Sequence, residues 1–196
     1  IYSYNMPIQT PICDFGKKAV PFELKSIDGK ILKLNEIKGE NGTLIMFICN
    51  HCPYVKAVTK DIVEDCNELK KIGINSIAIC SNDAINYPED SFENMIKFSK
   101  ENNFSFPYLT DETQEVAKEY DAVCTPDFFG YNKNLELQYR GRVRELRKLI
   151  PVRNGESDLL KAMKQVAETG KGPKEQTPSA GCGIKWLSLI HISEPT

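Results

Sequence analysis

Two cysteines stand three residues apart in the segment Cys49-Asn50-His51-Cys52-Pro53. This segment directly follows the apolar run at 44–48 and directly precedes a stretch with helical periodicity, so the thiols fall at a junction between a strand and a helix. A helix start exposes unpaired backbone N–H groups and the positive end of the helix dipole, and both favour a thiolate over a thiol. The spacing and the placement therefore predict thiol redox chemistry.

The two thiols can be given separate roles on physical grounds. Thiol–disulfide exchange needs an exposed thiolate of low pKa and a second thiol close enough to displace the mixed disulfide. We expect Cys49 to lie nearer the helix start and to attack, and Cys52, half a turn deeper, to resolve. Asn50 and His51 separate the thiols, and His51 can donate a hydrogen bond or carry positive charge beside the thiolate. Stabilising the reduced state in this way would make the protein a stronger oxidant.

The elements that position these thiols form a strand-helix-strand unit. The apolar run Thr43–Ile48 is typical of a strand buried on both faces of a parallel sheet. Pro53–Lys71 follows as an amphipathic helix, with Pro53 at its first position. Gly73 then ends the helix, and Ile74–Cys80 reads as a second buried strand. Two parallel strands joined by a helix indicate the α/β class, with a crossover expected to be right-handed.

The rest of the chain supplies shorter elements around this unit. An N-terminal hairpin is predicted at the turn Asp28-Gly29, and a second hairpin at Asn132-Lys133-Asn134. Ser91 and Asp111 are candidate helix caps. The predicted segments are strands at 22–24, 31–34, 106–109, 127–131 and 135–139, and helices at 92–101, 111–120 and 156–169.

In this order, the elements resemble the thioredoxin-like superfamily, and within it the redoxin or AhpC/TSA-like proteins. The resemblance covers Pro21–Thr169 and rests on the Cys-Asn-His-Cys segment, on Thr125-Pro126 before the last hairpin, and on Tyr139-Arg140-Gly141 after it. It implies a central mixed sheet flanked by helices, with the N-terminal hairpin at its side. It also implies that Pro126 is cis and lies against the thiols, with Thr125 beside it, where neighbouring backbone pairs with a bound polypeptide.

Some residues depart from the thioredoxin pattern. Ile48 stands where that pattern has Trp, and Thr43 stands about where a buried acidic proton acceptor is expected, so proton transfer is assigned to solvent or His51. The arginines of the run Arg140-Gly141-Arg142-Val143-Arg144 are interpreted as a solvated sheet face. The predicted function is a thiol–disulfide oxidoreductase that uses the Cys49/Cys52 dithiol.

Two alternatives stay open. Cys52-Pro53 resembles the Cys-Pro of peroxiredoxins, which favours a thiol-dependent peroxidase, but Cys49 stands where that family has Thr or Ser three residues before its reactive cysteine. A Cu(I)-binding chaperone with a thioredoxin-like fold would also use paired thiolates and one imidazole. A four-ligand zinc site would need Cys124 or Cys182 to reach the pair, so no metal is assigned, and no organic cofactor is implied.

The remaining cysteines and the chain ends complete the prediction. Cys124 and Cys182 are possible additional redox thiols, because Cys124 precedes Thr125-Pro126 and Cys182 lies on a Gly- and Pro-rich segment. Cys13, Cys66 and Cys80 are interpreted as core or incidental thiols. The predicted organisation is an N-terminal extension at 1–20, a thioredoxin-like redoxin domain at 21–169, a flexible C-terminal arm at 170–186 and a non-native tail at 187–196.

The composition and net charge of the chain exclude some classes of partner. The chain has 196 residues, 41% hydrophobic and 27% charged, which is enough for one core of ordinary size. A net charge of -2 gives no footprint for nucleic acid, and no apolar run is long enough for a membrane span. The expected partners are a protein disulfide or dithiol substrate or a thiol reductant, with the protein a monomer or dimer. Seven scattered cysteines favour a reducing compartment, so the expected location is cytoplasmic, with processed export left open.

Overall fold

The computed structural model describes residues 6–188, and most of the segment predicted as a non-native tail lies outside the described residues. Twelve strands and five α-helices form within that part of the chain. The strands are β1 (Ile8–Gln9), β2 (Glu23–Ser26), β3 (Ile31–Lys33), β4 (Gly42–Phe47), β5 (Ile74–Cys80), β6 (Tyr108–Thr110), β7 (Cys124–Thr125), β8 (Asp127–Asn132), β9 (Leu137–Tyr139), β10 (Leu146–Arg147), β11 (Ile150–Pro151) and β12 (Ala180–Gly183). The helices are α1 (Leu34–Ile37), α2 (Pro53–Lys71), α3 (Phe92–Glu101), α4 (Glu115–Glu119) and α5 (Asp158–Thr169).

A seven-stranded mixed sheet forms the centre, in the order β3-β2-β6-β5-β4-β8-β9. Strand β4 pairs in parallel with β5 and antiparallel with β8, and every residue of β4 is buried. An apolar run fits this position because a central strand covered on both faces has no solvent side. The predicted α/β class, the thioredoxin-like fold and the N-terminal hairpin, here β2 and β3, are confirmed.

Helix α2 has the predicted bounds and carries the site at its start. Cys52 is the N-cap, with extended backbone, and Pro53 takes the first helical position. Proline suits that position because it lacks an N–H that would have no partner there. One face of α2 is buried in the core cluster that also contains both motif cysteines; its apolar residues are Val55, Val58, Ile62, Cys66 and Leu69.

The shorter elements follow the prediction with shifted ends. Ser91 caps α3 by accepting a hydrogen bond from the Asn94 N–H at 3.2 Å. Asp111 accepts from the N–H groups of Val116 and Ala117, but α4 begins only at Glu115, so the predicted helix at 111–120 is too long. Residues 112–114 form a turn between the Asp111 carboxylate and the start of α4. Among the described residues, the structure contains no helix of the length and apolarity that a bilayer crossing requires.

The predicted flexible arm differs most from the structure. Within it, β12 pairs antiparallel with β1 on one side and with β7 on the other. Gly181 lies so close to β7 that an added Cβ would be 2.0 Å from the Thr125 carbonyl oxygen. Glycine at this position allows the two backbones to approach closely. The glycine-rich composition predicted a flexible segment, but the glycine serves packing. The expectation of a mobile arm is therefore wrong for Ala180–Gly183.

Candidate active site

Helix α2 begins directly after Cys52. Cys52 is the N-cap of α2, whereas Cys49 lies in the loop between β4 and that helix. Both are free thiols, and both are almost completely buried, at 0% and 1% exposure. The prediction that Cys49 lies nearer the helix start is therefore wrong, because the N-cap residue is Cys52, adjacent to Pro53.

The surroundings of the two sulfurs separate their acidities. A hydrogen bond from the Cys182 thiol is the main cause that lowers the pKa of Cys52, followed by one from the Cys49 thiol and, more weakly, one from the backbone N–H of Val55. Burial is the main cause that raises the pKa of Cys49 well above its usual value. These contacts favour ionisation of Cys52 over ionisation of Cys49, and the Cys49 and Cys182 thiols lie beside Cys52.

Thr125 contacts each part of this thiol cluster. Its hydroxyl oxygen lies 3.4 Å from the Cys49 sulfur, and its carbonyl oxygen accepts a hydrogen bond from the Cys52 thiol at 3.4 Å. Its backbone is the register partner of Cys182 in the pairing of β7 with β12. The Thr125–Pro126 peptide bond is cis. Thr125 and Pro126 thus lie directly against the predicted dithiol.

His51 is bound to a carboxylate that sequence reasoning missed. Its Nδ1 lies 2.8 Å from Oδ2 of Asp90, a buried residue at the end of the 3-10 turn Pro88–Asp90. The hydrogen bond to Asp90 is the main cause that raises the pKa of His51. The imidazole also stacks on Tyr87, with ring centroids 6.0 Å apart. Asp90 is thus a buried carboxylate in direct contact with the motif.

The backbone around His51 is also held from several sides. The N–H of Asn50 donates to Oδ1 of Asp90 at 2.8 Å, and Asn82 donates to Oδ2 at 2.9 Å. The Asn50 side chain accepts from the Tyr108 hydroxyl at 2.7 Å and donates to the Glu89 carbonyl at 3.1 Å. Asn50 is therefore a structural anchor for the loop between the two cysteines.

One group among the described residues has ligand atoms close enough together for a metal ion. It consists of Cys49, His51 and Asp90, whose ligand atoms lie within 4.8 Å of one another. Both oxygens of Asp90 already accept hydrogen bonds, and Nδ1 of His51 is directed to one of them. Asp90 therefore joins Asn50, His51 and Asn82 in one hydrogen-bond network.

Arg140 is not part of a solvated face. It is buried at 6% exposure, and its Nε and Nη2 donate to the two carboxylate oxygens of Asp127 at 3.0 and 2.9 Å. The guanidinium also lies 4.1 Å from the ring centroid of Phe129. Asp127 follows Pro126 and accepts the N–H of Val123 at 3.0 Å. The buried ion pair therefore anchors the loop that holds Thr125 and Pro126 on the thiols.

Of the two additional redox candidates, Cys124 and Cys182, it is Cys182 that contacts the Cys49/Cys52 pair. The Cys124 thiol donates to the Pro126 carbonyl oxygen at 3.6 Å, and burial raises its pKa. Cys182 instead donates a hydrogen bond to Cys52, and this bond raises the pKa of the Cys182 thiol. Cys66 and Cys80 are buried thiols of the core, as predicted, and Cys13 is half-buried outside the cluster.

A cavity of about 380 Å³ adjoins the thiol cluster on the Pro126 side. Its lining includes apolar residues of several elements, among them Ala180 of β12; these are Tyr54, Val58, Pro126, Leu146, Leu149 and Ala180. Arg142 and Arg144 also line it. An apolar cavity with a few polar groups beside a reactive thiol is suited to bind part of a substrate.

Comparisons with known proteins show the family and the fold of the chain. Residues 15–146 match the AhpC/TSA family. A structure of an uncharacterized conserved protein from Geobacillus kaustophilus is 43% identical, with a TM-score of 0.87 over 93% of this chain and 97% of that one. A hypothetical protein from Sinorhizobium meliloti is 33% identical, with a TM-score of 0.85 over 93% of this chain and 100% of that one. The thioredoxin domain of a thiol-disulfide oxidoreductase from Bacteroides vulgatus shares the fold at 18% identity, with a TM-score of 0.55 over 68% of this chain and 89% of that one. The comparison with curated proteins finds no match.

Proposed function

Because the chain belongs to the AhpC/TSA family and has the thioredoxin-like fold, we propose that it is a thiol–disulfide oxidoreductase that uses the Cys49/Cys52 dithiol. Cys52 is the attacking thiolate and Cys49 the resolving thiol, the reverse of the order expected from sequence. One observation carries the proposal: Cys52 is the N-cap residue of α2, and the neighbouring thiols of Cys182 and Cys49 form hydrogen bonds with it that favour its ionised form.

The reaction has two exchange steps. The Cys52 thiolate attacks one sulfur of a substrate disulfide, the substrate S–S bond breaks, and the departing thiolate takes up a proton. Cys49 then loses its proton and attacks the Cys52 sulfur, which releases the second substrate thiol and leaves a Cys49–Cys52 disulfide. Two electrons pass from the dithiol to the substrate. His51 and Asp90, within 4.8 Å of the Cys49 sulfur, form the nearby acid–base pair for that proton.

The surroundings of the thiols support a proposal for the substrate class. The cavity beside Pro126 is large enough for side chains of a polypeptide and is lined by apolar groups such as Tyr54 and Leu146. We therefore propose a protein disulfide or dithiol as substrate and a thiol compound as the source of reducing equivalents. We also propose a reducing compartment as the place where the protein acts, because its seven cysteines are scattered along the chain and do not form the pattern of a secreted disulfide framework.

The second candidate is a thiol-dependent peroxidase, which the family and the Cys52-Pro53 pair favour. In that reaction the Cys52 thiolate attacks a peroxide oxygen, becomes a sulfenic acid and releases water or an alcohol. Cys49 then condenses with the sulfenic acid to form a disulfide and water. The Arg140 guanidinium is held by Asp127, so it stabilises the loop instead of activating a peroxide.

The experiment that tests the proposal compares oxidants on one reduced sample. Rapid alkylation and intact-mass analysis measure how fast the protein loses two thiols when mixed with a protein disulfide or with hydrogen peroxide. We expect fast oxidation by the disulfide and slow oxidation by peroxide, and the reverse order would establish the peroxidase instead. C52S should abolish both reactions, whereas C13S, at a half-buried thiol outside the cluster, should react as the wild type does.

A Cu(I)-binding chaperone would use the same soft donors, because thiolates select Cu(I). The observation that favours it is that Cys52 has two thiol neighbours, Cys49 and Cys182, each within hydrogen-bond contact of it. Copper that remains bound through purification of the wild type, and that is lost from both C49S and C52S, would support this function. Copper-free protein that reacts rapidly with disulfides would exclude it as the main role.

A further inference from the structure

Strand β12 covers the edge of β7 beside the thiols. Cys182 is paired with Thr125 and Gly183 with Cys124, in antiparallel register. The Ser179 hydroxyl donates to the Pro126 carbonyl oxygen at 2.9 Å, just before the strand. An exposed strand edge is a template for pairing with another chain, and in this protein its own C-terminal segment takes that place. The segment is thus built into the site.

The pairing brings a third thiol to the nucleophile. Side chains of directly opposite residues on an antiparallel pair have Cβ atoms about 4.5–5.5 Å apart, so Cys182 and Thr125 are immediate neighbours. Thr125 in turn contacts the sulfurs of Cys49 and Cys52 at 3.4 Å each. Cys182 is 98% buried, at 2% exposure, and its thiol is within hydrogen-bond reach of Cys52. The mechanism above leaves this thiol without a role.

We propose that Cys182 is a second resolving thiol, and that oxidation produces a Cys52–Cys182 disulfide that ties β12 to the start of α2. The inference rests on the proposed function, because it needs Cys52 as the nucleophile. The Cys182 thiol loses its proton and attacks the Cys52 sulfur of a mixed disulfide, and the substrate thiolate leaves and takes up a proton. The same attack on a Cys49–Cys52 disulfide regenerates the Cys49 thiol and moves the disulfide to Cys182. No further oxidant is consumed in this second exchange.

The disulfide has a structural consequence. In the reduced protein, β12 is held at β7 by backbone pairing, close packing and hydrogen bonds, without a covalent bond. A covalent bond between Cys52 and Cys182 would prevent its departure, so the edge of β7 would stay closed to any pairing polypeptide until a thiol reduced the bond. The oxidised form is then a resting state from which a thiol reductant restores the Cys52 thiolate.

The test uses oxidised glutathione as the disulfide and four full-length proteins: the wild type, C49S, C182S and the double variant. After reaction, acid quenching and alkylation, a non-reducing tryptic digest distinguishes the products by mass. The two motif cysteines fall in the peptide at 39–56, and Cys182 falls in the peptide at 175–185. A Cys52–Cys182 disulfide therefore joins two peptides, whereas a Cys49–Cys52 disulfide stays within one.

The double variant should retain glutathione on Cys52. In C49S the adduct should disappear and the two peptides should be joined, and in C182S the disulfide should lie within the peptide at 39–56. If C49S retained the adduct as the double variant does, and the wild type showed no joined peptides, the role of Cys182 would be refuted while Cys52 remained the nucleophile. If the double variant formed no adduct at all, the proposed function itself would fail.

Discussion

Replacing Gly181 by Ala perturbs the contact that holds β12 against the thiol site. Gly181 has no positive φ, so the expected effect comes from crowding and not from backbone conformation. An ideal Cβ at this position would lie 2.0 Å from the Thr125 carbonyl oxygen and 3.1 Å from the Pro126 nitrogen. Both obstacles are backbone atoms in a loop anchored by Asp127, so they cannot rotate away as a side chain could.

The size of the effect follows from these distances. To reach the 3.4 Å at which ordinary contact begins, the strand must move by about 1.4 Å from the Thr125 oxygen. Backbone hydrogen bonds between β12 and β7 cannot survive such a shift, because they weaken beyond about 3.2 Å. Overpacking of this kind costs about 1–3 kcal/mol of the free energy of unfolding. For a chain of this size that corresponds to a fall in Tm of roughly 2–12 °C.

Two assays check the G181A prediction. Thermal unfolding measures Tm, and the pH dependence of Cys52 alkylation, assigned by peptide fragmentation, measures its pKa. We expect that pKa to rise, since the hydrogen bond from Cys182 is the main cause that lowers it. G183A is the matched control, because its Cβ would meet only the flexible end of Ile8, which is 44% exposed. If G181A left both Tm and the Cys52 titration as G183A does, the reasoning about β12 would be refuted.

Two further predictions concern buried carboxylates. D90N should lower the pKa of His51, because the hydrogen bond to Asp90 is the main cause that raises it; an NMR titration with an unchanged midpoint would contradict this. In the wild type, the stability that protonated His51 contributes should be lost as the pH rises through its folded-state pKa. Burial raises the pKa of Asp65 from 3.8 to about 6, although Ser157 donates a hydrogen bond to it. The unfolded chain therefore ionises first, and the wild type should lose about 3 kcal/mol of stability relative to D65N as the pH rises through that window. Urea unfolding of both proteins at pH 4 and pH 7 measures the difference, and parallel pH profiles would argue against a raised pKa.

Local signals were enough for the elements that carry the dithiol. Proline at the first helical turn and apolar residues at helical spacing predicted the bounds of Pro53–Lys71 correctly. The uninterrupted apolar run before the cysteines predicted a buried central strand, which is β4. These features depend on residues close together in the chain, so the sequence pattern contains the information directly. The family resemblance then added the fold and the place of Thr125 and Pro126.

The surroundings of the thiols depend on distant parts of the chain. Asp90 reaches the motif across 40 positions, where it meets the Asn50 N–H, and no local pattern marks it. Arg140 lies in a run that looks solvated, yet Asp127 and Phe129 bury it. Pairing between distant segments depends on which backbone edges meet after the chain collapses, and periodicity does not encode that.

By itself, the sequence determined the strand, the helix and the two thiols at their junction, because propensity and spacing act over a few residues. Only the tertiary structure brought Cys182 beside Cys52, where its hydrogen bond is the main cause that lowers the pKa of Cys52. The glycines around Cys182 look like a mobile segment in composition, but in the fold they allow β12 to lie against Thr125. Close backbone approach is a property of two segments together, so neither segment alone could reveal it.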